Sequence, residues 1–205
     1  MTDLYEPFFN PAESLVIKSG GNLPHWHQNS KIQFVTFRLA DSLPREIVSE
    51  IKDAIAKFNN AHPKPWSKEV YCRYRALTGR INESVLDRGY GSCILARSEV
   101  RDIVKESIMH GNGTDYDVFA FVIMPNHVHL LIKPLGEVTA DISVGRIKHF
   151  SAMMINKLLG KSGKVWMRES FDRIVRNNDQ LQRYIRYILS NPNGLSKGSY
   201  EIYLR

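Results

Sequence analysis

The sequence predicts an α+β or α/β sandwich, helices packed on a sheet, and three observations carry that prediction. Ile32 to Leu39 (IQFVTFRL) is a β-branched and aromatic run with the composition of a strand. Val118 to Met124 is nearly continuously apolar, and beyond Pro125-Asn126 the chain resumes as an alternating strand from His127 to Lys133, which together read as the centre of the sheet. Between these strands, apolar residues recur at helical spacing: Ile47, Ile51, Ile55 and Phe58, then Val100, Ile103, Val104 and Ile108, and later Leu181, Ile185 and Ile188. A chain of 205 residues buries a sizeable core, and one domain is the default. The expected division is an irregular leader over residues 1–30 and a single folded domain over 31–205.

The leader is rich in Gly, Pro and Asn, with Gly20-Gly21-Asn22 as a breaker. After the first strand, Asp41, Ser42 and Pro44 supply helix-start chemistry, and His62-Pro63-Lys64-Pro65 stops that helix. Trp66 to Leu86 predicts a second helix, broken or ended near Gly79. Asp87-Arg88-Gly89-Tyr90-Gly91 reads as a turn into a short apolar segment, Ser92 to Leu95, before Ser98 opens a helix that ends at Gly111. Thr139 opens a helix to about Leu159, Gly160 to Gly163 is a loop, and a last helix runs from about Asp179 to Ser190, where Pro192 ends it.

Lys and Arg exceed Asp and Glu by 28 to 21, a formal charge of +7 that favours polyanionic partners. The only cysteines, Cys72 and Cys93, lack paired spacing, which excludes a disulfide framework and a thiolate zinc site and fits reduced thiols in a cytoplasmic protein. The longest apolar run, Val118 to Met124, is far below the ~20 residues of a membrane span. No Gly-rich Walker-type Lys sequence is present, so no nucleotide cofactor is expected.

Chemistry enters with His127-Val128-His129. A strand's period of two sends both imidazoles to one face and Val128 to the other, so one face offers two nitrogen ligands suited to a divalent metal. Taken alone, the triplet reads more simply as a pair of surface or half-buried histidines. On the last helix Tyr187 and Asn191 are four apart, hence one turn above the other, beside the stripe that docks the helix. A phenol with a pKa near ~10 is a weak nucleophile unless a cation or base lies close. A cation held by the histidines, beside a helix-borne phenol, would suit phosphoryl transfer to tyrosine.

Three stretches, Met124-Pro125-Asn126-His127-Val128-His129-Leu130-Leu131, Trp166-Met167-Arg168-Glu169-Ser170-Phe171-Asp172-Arg173 and Tyr187-Ile188-Leu189-Ser190-Asn191-Pro192, resemble REP-associated tyrosine transposases, of the single-tyrosine class of His-hydrophobic-His endonucleases. Phe34 to Pro44 and Leu86 to Gly91 extend the resemblance over most of the chain. It implies an α+β, ferredoxin-like core: a central antiparallel sheet with the histidine pair on a central strand and the tyrosine helix packed nearby. It also implies that His127, His129 and Asn191 hold Mg²⁺ or Mn²⁺ and that Tyr187 is the nucleophile. On the same basis the tyrosine becomes linked to a 5′-phosphate, and the substrates are single-stranded palindromic repeats that fold into hairpins. One departure is Asn193-Gly194-Leu195-Ser196, where relatives tend to be more basic.

Several residues compete for these roles. His25-Trp26-His27 repeats the triplet within the leader, where Trp26 reads as a structural anchor. Tyr184 is a rival nucleophile, but its neighbour four residues on is Ile188, which binds no metal. Arg146, Lys148, Arg173, Arg176, Arg183 and Arg186 are candidate DNA contacts, while Phe150 and Trp166 are expected in the core. Two other functions fit the residues: a replication initiator or relaxase-type nickase, which more often carries a paired tyrosine, and a catalytically silent DNA-binding protein. Monomer and homodimer are both compatible with the sequence.

Overall fold

The computed structural model describes residues 6–18 and 25–205. In chain order its elements are β1 (Val16–Lys18), β2 (His25–His27), β3 (Gln33–Arg38), α1 (Arg45–Ala61), α2 (Lys68–Leu86), α3 (Ser98–Met109), β4 (Tyr116–Ile123), β5 (His127–Pro134), α4 (Ala140–Leu159), β6 (Phe171–Ile174), α5 (Asn178–Ser190) and β7 (Glu201–Leu204). Five strands form one antiparallel sheet in the order β6-β3-β5-β4-β7. The chain path β3-α3-β4-β5-α4-β6 is the ferredoxin-like βαββαβ arrangement, with α1 and α2 inserted after its first strand and β7 added at one edge. The fold is α+β.

Each face of the sheet has its own core. Val35, Phe37, Val128 and Leu130 point to the side covered by α3 and α4, where Val100, Val104, Ile108, Val144, Ile147 and Ile155 complete an apolar cluster. A register shift between Val118 and Ala120 lets Val118, Phe121 and Ile123 join that layer while Ala120, Val122 and Met124 turn to the other side. On that second side Leu181 and Ile188 of α5 dock on Ile32, Phe34 and Leu131, with Ile185 packed against them. This is the docking stripe expected of the last helix. No helix among the described residues is long and apolar enough to cross a membrane.

The structure departs from the sequence expectations at several points. Gly79 neither breaks nor ends the second helix, which runs through it from Lys68 to Leu86; a helical glycine costs only ~1 kcal/mol, and neighbouring turns absorb that. Within the leader, β1 and β2 pair antiparallel, Val16 opposite His27. Gly20-Gly21-Asn22 lie outside the described residues. Two short strands at the sheet edges, β6 and β7, have mixed polar composition and no period strong enough to announce them. Trp166 is buried, its ring edge against Phe37 and its indole N–H donating to Ser151 Oγ at 2.9 Å. Phe150, by contrast, is 48% exposed, because it sits on the outer side of α4.

Candidate active site

His127 and His129 lie on β5, the middle strand of the five, and both are completely buried. Their rings share a face with Arg38 and Thr36, which stand opposite them on β3. The two Nε2 atoms converge at 3.0 Å. Each Nδ1 is held from behind: His127 Nδ1 by Asn126 Oδ1 at 2.7 Å, and His129 Nδ1 by Thr36 Oγ1 at 2.8 Å.

The Asn126 contact sets a tautomer. Its Nδ2 donates to two carbonyls, Leu86 O and Tyr90 O, each at 3.1 Å, so the amide orientation is fixed and Oδ1 can only accept. His127 must therefore donate from Nδ1, which leaves its Nε2 a bare lone pair pointing at His129. Burial pushes the pKa of His127 down to about 3, and burial together with His127 holds His129 well below its usual value. Both rings are neutral, the form in which imidazole binds metal.

Tyr187 and Asn191 come from the C-terminal turn of α5. The Tyr187 hydroxyl lies 3.3 Å from His129 Nε2, and the two rings meet edge to face with centroids 5.0 Å apart. Tyr184 instead stacks flat on Phe34 at 4.3 Å, part of the packing that seats the helix. Asn191, the residue that ends the helix, presents a buried Oδ1 with no hydrogen-bond partner among the described residues.

The sequence reading missed one group, Asp87. It leaves the end of α2 and stands half-exposed at the rim, with Oδ1 3.8 Å from His127 Nε2 and accepting from Asn191 Nδ2 at 3.4 Å. Burial raises its carboxyl pKa and the Asn191 bond offsets part of that rise. Asp87, His127 and His129 offer ligand atoms all within 4.8 Å of one another. Two imidazole nitrogens, a carboxylate oxygen and an amide oxygen without a partner are a donor set that fits a divalent cation. The turn that carries Asp87 is clamped at both ends. Asn126 grips Leu86 O and Tyr90 O, and Gly91 (φ +92°) runs against Asp41, whose Oδ2 accepts from Ser92 N–H at 2.9 Å.

The basic candidates scatter. Arg146 sits on α4, across the sheet from the histidines, and pairs with Asp115 at 2.6 Å. Lys148, also on α4, donates to Arg168 O and Ser170 Oγ, and burial followed by repulsion from Arg38 pushes its pKa down to about 8. Arg173 lies over the Phe171 ring at 4.8 Å, and Arg176, Arg183 and Arg186 are exposed on the segment leading into α5 and on α5 itself. Only Arg183 and Arg186 share the helix of Tyr187.

The family model described as "Transposase IS200 like" matches residues 72–191, a stretch that holds Asp87, both histidines, Tyr187 and Asn191. The chain belongs to the IS200-like transposase family. Among solved structures, the transposase is similar to one described as "Structure of the REP associates tyrosine transposase bound to a REP hairpin", at 14% identity over 86% of this chain and 76% of that one, with a TM-score of 0.46. No curated protein matches the transposase.

Proposed function

We propose that this transposase nicks and rejoins single-stranded DNA at hairpin-forming, REP-like repeats through a 5′-phosphotyrosine on Tyr187. The observation that carries this reading is the Tyr187 hydroxyl 3.3 Å from His129 Nε2, in a cluster of buried neutral imidazoles inside an IS200-like transposase. His127 and His129, with an oxygen of Asn191 or Asp87, would hold Mg²⁺ or Mn²⁺. Bound there, a divalent ion supplies charge neutralisation to the phosphodiester and to the oxygens whose charge changes.

The chain's own residues do the rest. Tyr187 Oη attacks phosphorus, the P–O3′ bond breaks, and the DNA is left with a free 3′ hydroxyl; the phenol gives up a proton and the 3′ oxygen takes one. The new phosphotyrosine keeps the energy of the broken linkage, so a second 3′ hydroxyl can reverse the step without a nucleotide cofactor. Thr36 and Asn126 hold the imidazoles in one orientation throughout. Stacking of Tyr184 on Phe34 fixes the helix that delivers the phenol. Hairpin substrates follow from the resemblance of the sequence to REP-associated tyrosine transposases, and residues 31–205 are the catalytic domain in this reading.

The test is an incubation with Mg²⁺ or Mn²⁺ and a labelled hairpin oligonucleotide copied from palindromic repeats flanking the gene. A protein-DNA adduct that survives denaturation is expected, and Tyr187→Phe should abolish it while hairpin binding persists. An adduct that persists in Tyr187→Phe moves the nucleophile elsewhere.

A further inference from the structure

Beside the histidines the structure holds a cavity of about 160 Å³ that the chemistry above does not use. Its floor is Thr36 and Arg38 of β3, the residues directly opposite His129 and His127. Val48, Ile51 and Ile55 of α1 form one wall, and Leu86 and Phe171 close it. The cavity and the catalytic cluster therefore share a wall: Thr36 lines one and bonds His129 in the other, and Leu86 precedes Asp87.

Its chemistry is mixed in a specific way. The walls are apolar, so a phosphate inside would lose its hydration without repayment. Polar and charged groups interrupt that lining: Arg38, Lys52, Glu169 and Ser170, beside Thr36 and Thr78. Arg38 spends a single nitrogen, Nη1, on Ser42 Oγ and Leu39 O, and its remaining N–H groups have no partner among the described residues. Burial lowers the Arg38 pKa and Glu169 offsets part of the loss, as expected of a partly buried cation short of anionic contacts. A flat heterocycle with polar edges, attached to a phosphate, suits both the apolar and the polar lining of this cavity.

Resting on the nicking reading, we propose that this cavity receives the base of the unpaired nucleotide next to the scissile phosphate, with Arg38 on that nucleotide's own phosphate. The base buries its faces between α1 and Phe171, and the Glu169 carboxylate accepts from an exocyclic amine, which favours cytosine, adenine or guanine over thymine. Selection of the nucleotide at the cut is then a property of α1, an insertion that the βαββαβ core does not require.

The test uses the full chain and the same labelled hairpin. Cleavage is mapped with native Tyr187, and binding is measured by fluorescence anisotropy with Tyr187→Phe, one unpaired nucleotide at a time being replaced by an abasic residue. One abasic position adjacent to the cut should weaken binding by about tenfold or more, as expected for loss of a stacked base. Thymine at that position should be weaker than the other three bases. Adding Ile51→Trp, which fills the cavity, should weaken the intact hairpin to a similar degree and erase the abasic difference. A flat abasic profile next to the cut overturns the proposal, as does full discrimination in the filled variant. The abasic series in the unfilled protein decides the matter even if Ile51→Trp unfolds. Absence of an adduct with native Tyr187 sinks the nicking reading itself, whereas an adduct accompanied by a flat abasic profile sinks only the pocket.

Discussion

Two His-x-His triplets occur in this chain, and what separates them is their surroundings. His127 and His129 stand on the middle strand of a five-stranded sheet, with β3 and β4 on either side and a fixed acceptor or hydroxyl behind each ring. The triplet at 25–27 lies on a two-stranded hairpin, where Trp26 is buried against the Tyr71 ring at 5.5 Å and His27 is buried 3.6 Å from Asp141. The His25 imidazole lies outside the described residues. A strand can point two imidazoles one way, but only neighbours on both flanks can fix tautomers, exclude water and bring a helix-borne phenol to them.

The largest expected effect breaks the comparison directly. His127→Ala or His129→Ala should weaken Mn²⁺ binding, measured by calorimetry, by more than about 100-fold and abolish the adduct. His27→Ala should leave metal affinity within about twofold while lowering stability by about 1–3 kcal/mol. Equal loss from His27→Ala would place the metal at the wrong triplet.

Protonation separates the pair next. In chelator-treated protein both rings of the 127–129 pair are held neutral by burial, with His127 pushed down to about 3. The unfolded chain takes up those protons near pH 6.5, so it binds more protons than the fold below that pH, and stability must fall as pH drops. The loss should reach up to about 1.4 kcal/mol per pH unit for each ring, starting near pH 6.5 and continuing toward about pH 3, with no contribution above about pH 7.5. Urea unfolding in chelator between about pH 7.5 and about pH 5 reads this slope, and His127→Leu with His129→Leu should flatten it. An unchanged slope in that double variant assigns the acid sensitivity to other groups.

A smaller effect tests the support behind one ring. Asn126→Ala removes the acceptor that fixes the His127 tautomer and should cost about 10- to 100-fold in metal affinity, the range for partners that orient a ligating histidine. A loss of stability with metal affinity unchanged would leave Asn126 as a brace for the 86–90 turn alone.

Much of this arrangement was legible in the sequence, for identifiable reasons. The β5 strand and the α5 helix carry strong periodicities, so the histidine face and the Tyr187-Asn191 face follow from geometry. Their meeting does not: a pattern sets the face a side chain occupies, and only the packing of Leu181 and Ile188 on Phe34 and Leu131 puts the phenol at His129. Asp87 escaped notice because LDRGYG has the composition of a turn and lies 40 residues before His127 in the sequence. Its place in the site depends on Asn126 reaching back to two carbonyls. Phe150 went astray for the opposite reason, since a large aromatic on a helix is usually a core residue and α4 turns this one outward.

Asp87 also supplies the finest test, because it distinguishes a ligand from a brace. Asp87→Asn keeps an oxygen that can accept from Asn191 Nδ2 but removes the charge, so a bracing role predicts near-native metal affinity and a ligand role predicts Mn²⁺ binding weaker by about tenfold. Gly91→Ala is the companion: a Cβ there would lie 2.5 Å from Asp41 O on a backbone with φ +92°, so the turn must shift at a cost of about 1–3 kcal/mol. If Asp87 is a ligand, Gly91→Ala should weaken Mn²⁺ binding as well as stability, with the loss largely absent when Asp87→Asn is already present. If Asp87 is a brace, the two substitutions should add in stability and leave the metal alone.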